Sequence, residues 1–142
     1  MLSVGVIAQV KTIKKLQLNI ENGIAIQGYD PVAYFKQAKA IKGQKQLSVQ
    51  QEGVLYYFSS ESNKQAFIKN PLAYEPQYGG WCAYAMGETG DKVAINPTTF
   101  KIVNGKLYLF YNSFLNNTLK TWNKNQADLN KKADTNWIKI IQ

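Results

Sequence analysis

The sequence contains no histidine and no arginine, and it has a single cysteine among its 142 residues. Without histidine there can be no Ser-His-Asp triad, no imidazole base and no histidine-bound metal. Without arginine the chain lacks the side chain that most often reads guanine and phosphate through paired hydrogen bonds. A single cysteine, Cys82, excludes a disulfide within the chain. We therefore expect no specific nucleic-acid binding, and any catalysis would rest on carboxylate, lysine, tyrosine or one thiol.

Acidic residues are also few, nine against 17 lysines, which gives a net charge of +8. Lysine alone can bind polyanions loosely through counterion release. Because the lysines are scattered and only briefly paired, at residues 14–15 and 131–132, a solvated surface is favoured over a nucleic-acid or membrane patch. No apolar run approaches the roughly 18 residues of a membrane span, so no transmembrane segment is predicted.

Two parts of the chain are distinguished, an N-terminal segment over residues 1–22 and a single domain over residues 23–142. The first nine residues are small and apolar, and lysines begin only at Lys11. Residues 6–9 are read either as the end of a signal peptide or as a short strand. The first interpretation predicts an extracytoplasmic protein, periplasmic or secreted, and the second leaves a cytoplasmic one open.

Strand patterns fill the middle of the domain. Short strands are predicted at residues 24–26, 47–49 and 54–58, and residues 100–103 and 106–111 flank Asn104-Gly105, the pair best suited to a tight hairpin turn. Residues 107–111 are apolar on both faces, which predicts a central strand.

Helices are predicted around and after these strands. Ser59-Ser60 offers a cap for a helix over residues 61–69, Ser113 a cap for one carrying Leu115, Leu119 and Trp122, and a last helix begins near Gln126. The prediction is an α+β fold, a small antiparallel sheet packed by short helices.

Residues 53–74 closely resemble the YHS domain, with a strand, a tight turn, a helix, Asn-Pro and Tyr in that order. Residues 30–33, Asp-Pro-Val-Ala, resemble its start. The segments 77–85, 105–109 and 133–137 are similar to a branch of the family that often carries signal peptides and has no assigned activity. The resemblance covers roughly residues 23–137 and implies a YHS-like module with C-terminal helices.

Metal-binding members of that family use cysteine thiolates at places that correspond here to Ala33, Ser59 and Asn63. Neither alanine nor a neutral hydroxyl replaces a charged thiolate, so no zinc site is expected. Serine and asparagine at these positions are instead predicted to support the helix cap.

The remaining soft ligands are Cys82 and Met86, which lie on one face if residues 81–86 are helical. Thiolate and thioether suit Cu(I) or another soft metal. The alternatives are that both sulfurs fill the core, or that Cys82 is a reactive thiol.

Asp30 is held by a turn and is either a turn-stabilising acceptor or the polar anchor of a ligand pocket beside Cys82. The pocket would be lined by aromatic side chains, Tyr29, Tyr34, Tyr78, Trp81 and Tyr84.

The sequence thus favours a non-enzymatic YHS-like domain that binds a metal ion, a small ligand or a partner protein near Asp30 and Cys82. The alternatives are a thiol-dependent redox protein or enzyme that uses Cys82, and a purely structural interaction module.

Overall fold

α-Helices and short strands both occur along residues 16–142, the part of the chain that the structure, a computed structural model, describes. The elements in chain order are β1 (Ile20–Glu21), β2 (Ile24–Ala25), α1 (Ala33–Lys36), β3 (Gln44–Gln51), β4 (Val54–Phe58), α2 (Glu61–Lys69), α3 (Ala83–Glu88), β5 (Asn96–Val103), β6 (Lys106–Phe110), β7 (Asn112–Ser113), β8 (Asn116–Asn117), α4 (Thr118–Lys124) and α5 (Gln126–Ile141). Small antiparallel sheets pack against short helices, which confirms the predicted α+β class.

The largest sheet has the strand order β1-β2-β4-β3. β1 and β2 are antiparallel, as are β3 and β4, whereas β2 meets β4 in parallel through Ile24 and Leu55. The predicted strand at residues 24–26 ends one residue early, because Ile26 begins a 3₁₀ turn over Ile26–Gly28. This turn leads directly to Asp30.

The second sheet is the hairpin of β5 and β6, and it turns at Asn104-Gly105 as predicted. Asn104 has φ 52° and Gly105 has φ 72°, the positive values that a two-residue type I′ turn requires. The local preference of Asn-Gly for positive φ therefore agrees with the hairpin that forms.

Strand β6 separates two hydrophobic cores. Leu107 and Leu109 lie in a first core with β4 and Cys82, whereas Tyr108 and Phe110 lie in a second core with Trp122. All four side chains are buried, as the apolar pattern indicated. The prediction that the strand is central is wrong, because within residues 16–142 β6 pairs with β5 alone, apart from one bridge between Pro76 and Leu107.

Helix α2 has the bounds expected from the sequence, and its cap is Ser60, whose hydroxyl accepts a hydrogen bond from the Asn63 backbone N–H at 3.1 Å. Helices α3 and α5 approach closely in the second core. An added Cβ on Gly87 would lie 2.5 Å from the carbonyl oxygen of Leu129, so only glycine allows this separation.

Residues 112–117 form a short hairpin where a helix starting after Ser113 was expected. β7 and β8 pair antiparallel, with Phe114 and Leu115 at the turn, and Asn117 then caps α4 through a hydrogen bond from the Leu119 backbone N–H at 3.1 Å. The helical prediction is wrong here because Leu115 does not join the stripe of Leu119 and Trp122; it is 88% exposed. We call residues 112–117 the tip hairpin.

The end of the predicted N-terminal segment packs on the domain. The indole of Trp81 donates a hydrogen bond to the Gln17 carbonyl at 2.7 Å, and Leu18 and Ile20 contact the first core. The signal-peptide interpretation of residues 6–9 lies outside the described residues. Among the residues described, no helix combines the length and apolar character needed to cross a membrane.

Candidate functional site

Asp30 is fully buried at the start of the segment that leads into α1. Its backbone N–H donates to the Ile41 carbonyl at 2.8 Å, which fixes the turn from both sides. The carboxylate oxygen Oδ1 accepts hydrogen bonds from the backbone N–H groups of Val32 at 2.8 Å and Ala33 at 3.2 Å. Asp30 thus has the predicted turn-stabilising role, the usual local bonding of aspartate to N–H groups two and three residues on.

The other carboxylate oxygen of Asp30 reaches across the fold to the end of β4 and the start of α2. Oδ2 accepts from the Ser59 backbone N–H at 2.8 Å, from the Ser59 hydroxyl at 2.7 Å and from the Asn63 side-chain amide at 2.8 Å. The Asn63 amide also donates to Gln37 Oε1 at 3.0 Å. One buried carboxylate therefore joins three segments of the chain.

Ala33, Ser59 and Asn63, the three positions at which the resemblance places thiolates, converge on this carboxylate. Each offers it a donor, a backbone N–H, a hydroxyl or an amide. A cluster of hydrogen-bond donors is complementary to an anion, whereas a metal ion needs ligands that donate an electron pair, such as thiolate or imidazole. These residues do not fit a bound zinc ion, and the Asp30 carboxylate satisfies the donors.

Ser59 and Asn63 were expected to support the helix cap, and their side chains do something else. Ser60 is the cap, while the side chains of Ser59 and Asn63 bind Asp30. Sequence reasoning missed this long-range role. The only available signal was that the positions carried over from the resemblance fall in three separate segments.

Cys82 is fully buried immediately before α3. Its sulfur accepts a hydrogen bond from the Tyr111 backbone N–H at 3.2 Å and lies 3.6 Å from the Thr118 hydroxyl oxygen. That hydroxyl donates to the Tyr111 carbonyl at 2.5 Å, so the thiol is the group that donates to Thr118 Oγ1. Cys82, Tyr111 and Thr118 form a closed ring of hydrogen bonds.

Met86 lies one helical turn from Cys82, and its backbone N–H donates to the Cys82 carbonyl at 3.0 Å. Both residues are fully buried, but Cys82 belongs to the first core and Met86 to the second. Among residues 16–142, no three histidine, cysteine, aspartate or glutamate side chains are grouped as a metal site would require.

The five aromatic residues predicted to line a pocket are divided between the two cores. Tyr29 and Tyr34 pack in or against the first core, Tyr78 and Trp81 in or against the second, and half-buried Tyr84 contacts both.

The hydroxyl or indole groups of three of these residues bind inside the protein. Tyr34 donates to the Pro97 carbonyl at 2.6 Å, and Tyr78 donates to Asp134 at 2.8 Å. Trp81 donates to the Gln17 carbonyl, as described above. They stabilise separate junctions of the fold.

Burial has a clear electrostatic effect on three tyrosines. Desolvation raises the pKa of Tyr34, Tyr56 and Tyr78 well above the ordinary value, and Asp134 raises the pKa of Tyr78 further by accepting its hydrogen bond. These hydroxyls therefore stay neutral, and none is prepared to act as a base.

A small cavity lies elsewhere, between the N-terminal strands and the 3₁₀ turn at Gln77–Gly80. It has a volume of about 40 Å³. Its lining includes Leu18, Ile20, Val54, Tyr56, Glu75 and Gly79. None of the predicted pocket residues lines it, and it is much smaller than the roughly 300 to 1,000 Å³ of a typical ligand pocket.

Comparison of the chain with protein-family models, with curated proteins and with solved structures found no match.

Proposed function

We propose that this chain is a non-enzymatic YHS-like domain that works as an interaction module, in which Asp30 and Cys82 hold the fold together and perform no reaction. One observation supports this above all: the two groups with the most chemical potential, a carboxylate and a thiol, are fully buried and hydrogen-bonded within the protein. The burial of both groups favours a purely structural interaction module over a thiol-dependent enzyme or redox protein.

The Asp30 carboxylate supports the proposal through the number of its partners. Five donors converge on its two oxygens at 2.7 to 3.2 Å. A ligand that displaced it would leave a buried charge without its hydrogen bonds, which costs several kcal/mol. Asp30 is therefore better suited to joining α1, β4 and α2 than to binding an exchanging ligand.

The Cys82 thiol supports the proposal through its access and its environment. A reactive thiol is normally partly exposed and close to a cationic group. Cys82 is surrounded instead by the first core, and its polar contacts are the neutral Tyr111 amide and Thr118 hydroxyl. These contacts stabilise the base of the tip hairpin.

The soft-metal alternative keeps one observation in its favour, since Cys82 and Met86 lie a single helical turn apart. Against it, Cys82 packs in the first core and Met86 in the second. Cu(I) titration of the wild-type protein and of Cys82→Ala decides this point. We expect equal stoichiometry, and a lower stoichiometry for Cys82→Ala would favour the metal.

Thiol labelling tests the proposal directly. In the native protein, iodoacetamide should leave Cys82 unmodified, and after unfolding it should add one label, both measured by intact mass. The matched control is Ser62→Cys, at an exposed position of α2, which should gain one label when native and two after unfolding. Rapid labelling of native wild-type Cys82 would contradict the proposal and support a thiol enzyme.

A further inference from the structure

The tip hairpin exposes two large apolar side chains side by side. Phe114 is 98% exposed and Leu115 is 88% exposed, more than any other large hydrophobic residue described. They form the whole two-residue turn between β7 and β8. Adjacent apolar residues at such a position are costly to leave in water unless they bind something.

The geometry of the turn does not explain this choice of residues. Two-residue hairpins favour glycine and asparagine because their usual turns need positive φ. Asn104-Gly105 in the β5–β6 hairpin meets that need, whereas Phe114 and Leu115 are not among the residues with positive φ. Neither backbone conformation nor core packing therefore calls for phenylalanine and leucine here.

The base of the tip hairpin is firmly held. The Thr118 backbone N–H and hydroxyl both donate to the Tyr111 carbonyl, at 3.2 and 2.5 Å, and the Asn112 amide donates to the Thr99 hydroxyl at 3.0 Å. Tyr111 is in turn bound to Cys82. The two apolar side chains are thus presented on a fixed support, which reduces the entropy lost on binding.

Along the sequence, the charged residues on either side of the tip hairpin have one sign. Residues 92–127 contain no aspartate or glutamate and five lysines, Lys92, Lys101, Lys106, Lys120 and Lys124. Lys120 and Lys124 are exposed on α4, which begins directly after the hairpin, and their spacing of four places them on one face. The apolar turn is therefore followed at once by a cationic helix face.

We propose that the tip hairpin inserts Phe114 and Leu115 into the surface of an anionic phospholipid bilayer, with Lys120 and Lys124 contacting the headgroups. Shallow insertion of aromatic and leucine side chains together with lysines is how peripheral segments bind anionic membranes.

A bilayer fits this feature better than a protein does. Two side chains at a convex turn offer roughly 300 to 400 Å², against about 800 Å² per partner in a stable protein interface. Lysine is also depleted at protein interfaces, whereas it favours an anionic surface.

The test is sedimentation of the full chain with vesicles of phosphatidylcholine, alone or mixed with an equal amount of phosphatidylglycerol. We expect binding to the mixed vesicles only, reversed by added salt. The double variant Phe114→Ser/Leu115→Ser should bind at least about tenfold more weakly than the wild type, because two apolar side chains no longer enter the bilayer. Leu72→Ser, at another exposed leucine, should bind like the wild type.

Two double variants that remove the same charge distinguish the contribution of the lysines beside the tip hairpin from the contribution of net charge. Lys120→Gln/Lys124→Gln should weaken binding several-fold, whereas Lys36→Gln/Lys39→Gln, which removes the same charge at two other exposed positions, should weaken it less. Equal binding by wild type and the tip variant would overturn the proposal. So would a wild-type dimer that the tip variant converts to monomer, because a second copy would then be the partner.

The membrane proposal rests on residues other than those of the proposed function. If iodoacetamide labels Cys82 in the native protein, the proposed interaction module is contradicted and the membrane proposal is not. If the chain does not bind vesicles, the membrane proposal is contradicted and the labelling result still stands.

Discussion

The side-chain amide of Asn63 donates a hydrogen bond of 2.8 Å to the carboxylate of Asp30, 33 residues away in the chain. The contact joins the start of α2 to the turn before α1, and both side chains are buried. Together with the two bonds from Ser59, it makes Asp30 the polar centre of the first half of the domain.

Asp30→Asn should therefore lower the free energy of unfolding by about 3 kcal/mol or more, since hydrogen bonds to a buried charged group contribute roughly 1.5 to 3 kcal/mol each. The new amide would place its own donors against those of Val32 and Ala33 or of Ser59 and Asn63. Urea unfolding measures the change.

Asp91→Asn is the matched control, because it removes the same charge at an exposed residue whose carboxylate accepts from the Thr89 hydroxyl. It should change stability by less than about 1 kcal/mol. Equal losses in the two variants would show that Asp30 contributes through net charge and not through its buried bonds.

Cys82→Ala should remove the acceptor of the Tyr111 N–H and lower the free energy of unfolding by about 1 to 3 kcal/mol. The Tyr111 amide should also exchange its hydrogen faster with solvent, which hydrogen-exchange mass spectrometry detects. Cys82→Ser keeps an acceptor, so the amide should stay better protected than in Cys82→Ala. Identical exchange in both variants would argue that the sulfur contributes packing only.

Much of the secondary structure could be predicted because it depends on neighbouring residues. The turn at Asn104-Gly105 and the helix after Ser60 are set by backbone preference and capping within a few positions. The tip hairpin could not be predicted, since Leu115, Leu119 and Trp122 have helical spacing and only tertiary packing decides that Leu115 stays outside.

The candidate site was predicted less well than the fold. The bonding of Asp30 to the N–H groups of its own turn is local and follows from the sequence. Its bonds to Ser59 and Asn63 depend on how β4 and α2 pack, and the division of the predicted aromatic residues between two cores depends on tertiary packing.

Gly87→Ala tests the close approach of α3 and α5. Alanine is the better helix former by about 1 kcal/mol, yet its Cβ would lie 2.5 Å from the Leu129 carbonyl oxygen. We expect a net loss of about 1 to 3 kcal/mol, measured by thermal or urea unfolding.

Gly23→Ala is a suitable comparison for Gly87→Ala, because nothing lies within 4 Å of its added Cβ and only its φ of 78° opposes the change. It should lose about 1 kcal/mol. A Gly87→Ala protein more stable than the wild type would mean that the two helices separate without cost.

Alkaline pH should destabilise the protein through its buried tyrosines. Burial raises the pKa of Tyr34, Tyr56 and Tyr78 in the folded state, so the folded protein keeps protons that the unfolded chain releases above about pH 10. Their contribution is fully present below that pH and is lost as pH rises further. Urea unfolding from neutral to strongly alkaline pH measures the fall.

Tyr34→Phe should make this fall shallower, although it also removes the hydrogen bond to the Pro97 carbonyl and lowers stability at neutral pH by about 1 kcal/mol. A wild-type and a Tyr34→Phe curve that run parallel above about pH 10 would show that Tyr34 ionises without unfolding.

The two-faced strand β6 also bears on how accurately the chain folds. A slip of one residue against β5 would turn Leu107 and Leu109 toward the second core and Tyr108 and Phe110 toward the first. Such an error would mispack both cores at once, so a misregistered molecule would lose the stabilisation that each core contributes. Because β6 contributes side chains to both cores, each core can pack correctly only when the register of this one strand is correct.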